Sequence, residues 1–185
     1  MKPDKDESGL VAAPSAVASS TVESGDLALV NALVAEGVVT RAAVIPLLQR
    51  LQNERPTAIQ NGQALTLLQL LVNDQLAKLD ELLGVVVERS GLPYLPLATY
   101  DVDRDVACLV PREIAFEFCL IPFDRISRSV LVAVANPFDL GIRERIRAVI
   151  GADLFWYVSS PLEITTALRR AHDLDKQADG SRAKT

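Results

Sequence analysis

The sequence predicts an α/β (α+β) chain, with a leucine-rich region of four helices followed by a small three-stranded α/β sandwich. Three observations carry this. Leucines and valines recur at helical spacing from Leu29 to Val87, β-forming runs alternate with capped helices after Pro93, and the composition changes between the two at Gly91–Pro93. The chain has 185 residues, 49% of them hydrophobic, enough to bury a core.

Residues 1–25 are rich in Ser, Ala, Pro and charge without a periodic apolar face, and read as a disordered tail, as do residues 175–185. Between them the expected units are a helical domain, 26–91, and a small α/β domain, 92–174. The first helix carries Leu29, Ala32 and Leu33 and stops at Gly37. Thr40 then caps a second, whose apolar face holds Val44, Leu47, Leu48 and Leu51; Pro46 predicts a kink or a later start. Pro56, Asn61 and Gly62 mark 53–62 as a loop. A third helix is expected over 63–73 and a fourth over 76–89, ended by Ser90-Gly91 and Pro93. The two helix pairs are weakly alike, and helices this short must pack on one another to persist.

In the second unit, Pro111 opens a helix that buries Ile114, Ala115 and Phe118. Leu120–Phe123 reads as a strand in which Pro122 requires a sheet edge or a bulge, and Val130–Val134 completes a hairpin. Asn136 is the expected cap of a helix begun by Pro137, with Ile142, Ile146, Val149 and Ile150 on one face and Gly151 as its stop. Leu154–Val158 is the last strand, with Trp156 and Tyr157 facing opposite ways. Ser160 and Glu163 have the spacing of a capping box, opening a helix with Ile164, Ala167, Leu168 and Ala171 inward. The expected sheet carries helices on one face.

Composition narrows the function. A net charge of −5 argues against nucleic acid, which needs a positive surface. Cys108 and Cys119 are too few for a disulfide framework, the N-terminus lacks a signal-peptide pattern, and no apolar run approaches the length of a bilayer span. A cytoplasmic protein without membrane insertion is expected. No Gly-rich phosphate loop is present, and the one histidine, His172, stands at a helix end, where a cation favours the dipole. The chain therefore reads as non-enzymatic, with no cofactor and no metal site. Its candidate partner-binding residues are Arg125 and Arg128 at the hairpin turn and Arg143 and Arg147 on the helix after it, all suited to an acidic protein surface.

The order of the short motifs Gly91-Leu92-Pro93-Tyr94, Pro111-Arg112-Glu113 and Asn136-Pro137-Phe138-Asp139-Leu140 resembles the N-terminal domain of type II secretion and type IV pilus assembly ATPases. That resemblance, over 26–173, implies a regulatory or docking module without its motor, an adaptor whose partner is a protein of a secretion or pilus machine near the inner membrane. In the MshEN branch of the family, tandem leucine-rich copies opening with Arg-Leu-Gly bind cyclic di-GMP, which makes a cyclic di-GMP-binding regulatory domain the alternative. Carried onto this chain, the copies open at Ala28-Leu29-Val30 and Thr66-Leu67-Leu68, Gln75 replaces the inner glycine of the second, and Leu51 and Arg89 replace the closing glutamines. With the arginines absent, cyclic di-GMP is not expected as a partner.

Overall fold

The computed structural model describes residues 18–173, with side chains from Ser24 onward. The two tails, 1–17 and 174–185, lie outside the described residues. Four helices come first: α1 (Ala18–Ala35), α2 (Arg41–Gln60), α3 (Leu67–Asn73) and α4 (Leu79–Ser90). The first helix thus starts before Asp26, inside the stretch read as tail.

Thr40 caps α2 as expected, its hydroxyl accepting from the Ala43 N–H at 3.4 Å. The predicted loop at 53–62 is instead helical to Gln60, and α2 runs through both Pro46 and Pro56. Burial of Val44, Leu47, Leu51 and Arg55 along one side holds the helix across the missing donors, so tertiary packing overrides the local signal. α3 is opened by a capping box that the sequence reading missed. Thr66 accepts from the Gln69 N–H, and the Gln69 carboxamide accepts from the Thr66 N–H at 2.9 Å.

The two helix pairs are related. Gly37, after α1, and Gln75, after α3, occupy corresponding positions and both have left-handed backbones, φ 71° and 57°. The pairs also grip each other reciprocally. Arg50 of α2 reaches Asp74, one residue before Gln75, at 3.1 Å, while Arg89 of α4 reaches Glu36, one residue before Gly37, at 3.6 Å.

The second unit holds α5 (Arg104–Ala107), α6 (Arg112–Glu117), β1 (Leu120–Ile126), β2 (Ser129–Val134), α7 (Leu140–Ile150), β3 (Asp153–Val158) and α8 (Pro161–Ala171). The three strands lie in the order β1-β2-β3, with β1 antiparallel and β3 parallel to the central strand. Pro122 sits on the edge strand, and the register shifts between Pro122 and Asp124, so both places a strand proline tolerates are used together. On β2 every residue from Val130 to Val134 is buried, which requires cover on both faces of the sheet. This corrects the expected one-sided layer. Arg143 of α7 stacks on Trp156 on one side, while α5 and α8 pack against β1 and β2.

Two local expectations also change. Asp139, not Asn136, caps α7, accepting from the Ile142 N–H at 3.0 Å. Ser160 precedes α8 without a side-chain cap, and the Glu163 carboxylate, rather than closing a box, accepts from the Ala98 N–H at 3.2 Å and the Ser159 hydroxyl at 3.3 Å. Two apolar clusters result, one around the sheet and one among α1–α4; Leu92 packs on both, and Val158 at the end of β3 belongs to the helical one.

Candidate functional site

Of the places that combine charge with partial enclosure, two involve the predicted arginines or the openings of the two copies. The first is the α7–β3 face. Residues 143 and 147 are one turn apart on α7, and the chain returns from that helix into β3, bringing Leu154 and Trp156 beside it. The Arg143 guanidinium lies 5.2 Å from the centre of the Trp156 ring. Burial, and then the neighbouring Arg147, lower its pKa from the usual range. These groups line a cleft of about 260 Å³ together with Glu144 and Leu140, whose side chain is 68% exposed at the start of α7. Of the four arginines expected to bind a partner, the structure brings Arg143 and Arg147 together. It leaves Arg125 and Arg128 at the hairpin tip, where Ser127 turns with φ 56°.

The second place joins the two units, and the sequence reading missed it. Arg55 projects from the α2 extension that had been read as loop and meets Asp26 of α1 at 2.9 Å. Asn136 closes the group from the sheet side, its amide donating to the Gly25 carbonyl at 3.1 Å and to the Asp26 carboxylate at 3.3 Å. A small, partly open cavity of about 30 Å³, room for one water, lies among these residues, Glu117, Asp139 and the opening Thr66-Leu67-Leu68 of the second copy. Burial raises the carboxyl pKa of both Glu117 and Asp139. The Arg55 Nε is buried there without a hydrogen-bond partner. The available signal was an arginine on the apolar side of a helix, at i, i+4 and i+8 from Leu51 and Leu47.

The remaining chemistry-bearing groups stand apart. Cys119 is buried, its thiol donating to the Pro161 carbonyl at 3.8 Å and pushed up to about 12 by desolvation, while Cys108 is exposed. His172 follows α8, but burial, then Arg112, lower its pKa, so the neutral ring is favoured rather than the cation expected at a helix end. Among the described residues no group of three or more His, Cys, Asp or Glu could hold a metal ion. No helix among them is long and apolar enough to cross a membrane.

The second unit, from the end of α4 through α8, also resembles a known domain. Residues 90–178 match the MshEN domain. A curated relative, the type IV pilus assembly ATPase PilB of Myxococcus xanthus, is 28% identical over 83 residues; the match covers 45% of this chain and 15% of that ATPase. The MshEN resemblance extends to the helical unit at the level of fold. A structure of MshE with cyclic di-GMP superposes with a TM-score of 0.53 at 20% identity, covering 77% of this chain and 97% of that one. The N-terminal domain of XpsE gives a TM-score of 0.50 at 18% identity, covering 80% and 95%. The chain therefore has the fold of these N-terminal domains.

The comparison corrects one expectation. Cyclic di-GMP had been set aside as a partner because the opening arginines are absent, yet a neighbour sharing this MshEN fold is the MshE structure with cyclic di-GMP. Missing motif residues are therefore not grounds for excluding it. In this chain Val30 and Leu68, two of the replaced positions, are buried among the helices, and Thr66 serves as a cap.

Proposed function

We propose that this chain is a non-enzymatic regulatory module of a type IV pilus or type II secretion system, working at the cytoplasmic side by docking on a protein of that machine. The observation that supports it is the MshEN match over 90–178. Docking through the α7–β3 face suits the exposed Leu140 beside Arg143 and Arg147, an apolar contact flanked by cations that an acidic partner surface would complement. The test is a pull-down from cells that carry a pilus or secretion operon. Recovery of a component of that machine by the native chain, lost with Arg143→Glu/Arg147→Glu, supports the reading; equal recovery by both removes the docking face.

A second reading, cyclic di-GMP as the regulating ligand, is favoured by the MshE structure with that nucleotide. Calorimetry of the full chain at physiological salt tests it. Saturable heat at micromolar cyclic di-GMP sustains the reading, and absence of heat at saturating nucleotide removes it.

A further inference from the structure

A third cleft, of about 700 Å³, opens between the C-terminal part of α2, α3, the start of α4 and the N-terminus of α8. Its size suits a bound ligand, and its chemistry differs from both places described above. No lysine or arginine lines it, and its one carboxylate, Glu54, is held by Arg50 at 3.0 Å. The guanidinium groups that touch its lining are already engaged, Arg50 with Glu54 and Asp74 and Arg169 with the Gly62 carbonyl at 3.1 Å, so a phosphate or carboxylate ligand would have to compete for them.

The polar groups that do line it are mainly carboxamides. Asn53, Asn61, Gln69 and Asn73 stand around an apolar wall that includes Leu65, Leu79 and Leu162. A carboxamide offers a donor and an acceptor in one plane, the complement of a peptide group. Among the described residues the side chains of Asn53, Asn61 and Asn73 make no hydrogen bond. Gln69 is oriented by the capping box: its oxygen takes the Thr66 N–H at 2.9 Å and the Thr66 hydroxyl at 3.2 Å, which fixes the amide plane and leaves its NH2 donors unused.

Spacing narrows the ligand further. Asn53, Thr57 and Asn61 follow one another at four-residue intervals along α2 and its C-cap, about 6 Å apart along the axis. Two residues of an extended chain span about 6.6 Å. A polar row of this pitch can meet every second peptide group of a strand laid along it, while the intervening side chains fall toward the apolar wall. At the far end Ser160, only 5% exposed, lines the cleft without capping α8.

We infer that this cleft binds an extended, uncharged polypeptide segment of a partner protein, with Asn53, Asn61 and Gln69 hydrogen-bonding its main chain. The inference goes beyond the regulatory reading, which places its contacts on the α7–β3 face and at the junction.

A phage-displayed random heptapeptide library panned on the full chain tests it. Enriched peptides are then synthesised with blocked ends and followed by fluorescence anisotropy. Peptides free of charged residues are expected, bound about tenfold or more weakly by Asn53→Ala/Asn61→Ala and after N-methylation of alternate peptide groups. Both asparagines are exposed and make no internal side-chain bond, so the variant should keep the native thermal transition. Binding should survive Arg143→Glu/Arg147→Glu, which separates this site from the docking face. No enrichment, enrichment of charged peptides, or binding indifferent to the double variant and to N-methylation would each overturn the inference. Cyclic di-GMP calorimetry has no bearing on it.

Discussion

Arg55 and Asp26 form an ion pair at 2.9 Å with side chains only 11% and 13% exposed, at the place where the helical unit meets the sheet unit. Such a pair contributes less through its attraction than its loss costs, since removing one member strands the other in a dry setting. Asp26→Ala is expected to destabilise the chain by about 3 kcal/mol. Replacing both members together, Asp26→Leu with Arg55→Met, should cost less than Asp26→Ala alone. Urea midpoints at unchanged slope check both.

Gly25 tests the same junction by shape. A β-carbon there would come within 2.6 Å of the Asp139 side chain, which is itself tied to the start of α7. Gly25→Ala should therefore destabilise by about 1–3 kcal/mol, despite alanine's better helix propensity. A midpoint shifted to higher urea would show that Asp139 yields without cost.

Gln75 holds φ 57° where its counterpart in the other helix pair is Gly37 at φ 71°. Gln75→Gly should stabilise by about 1 kcal/mol through relief of the left-handed backbone, and Gln75→Val should destabilise. Thermal transitions of the three proteins give the order directly.

His172 sets a pH dependence of definite sign. Its folded pKa is lowered from 6.5 by burial and by Arg112, with Arg104 acting the same way and Glu113 opposing. Below 6.5 the unfolded chain binds the proton first, so stability falls as pH drops from 6.5 toward the folded value. Glu117 and Asp139 act oppositely: their raised carboxyls bind protons in the folded state first, so they favour folding as pH drops from their folded pKa values toward the ordinary carboxylate range. His172→Gln should gain on the native chain between pH 7 and about 5.5, with little difference above pH 7. Melting temperatures across that range check it.

Much of the sheet unit was legible because its rules are local. Pro122 lacks a donor wherever it stands, so an edge or bulge followed from sequence alone, and Gly151 ends α7 as its position implies. The failures share one cause. Asn136 and Asp139 are equal as caps by local chemistry, but the Asn136 oxygen takes the Phe138 N–H two residues on, at 3.2 Å, while its amide is engaged with Gly25 and Asp26, more than a hundred residues away in sequence, and Asp139 caps the helix. Glu163 leaves its expected box for an N–H at Ala98, and α2 continues past Pro56 because Leu51 and Arg55 are buried. The candidate sites divide in the same way. That Arg143 and Arg147 share a helix face could be read from spacing, but the stacking on Trp156 needs the parallel return from α7 into β3, and the Arg55 junction needs both units.

The related helix pairs differ most in the length of their second helices, 20 residues in α2 against 12 in α4. The surplus is about 12 Å of helix. It begins close to where the second pair turns off, and it carries Asn53, Arg55 and Thr57. The two halves thus share a leucine framework but not a surface: the longer helix alone reaches across to the sheet unit through Arg55 and carries Asn53 and Thr57 outward.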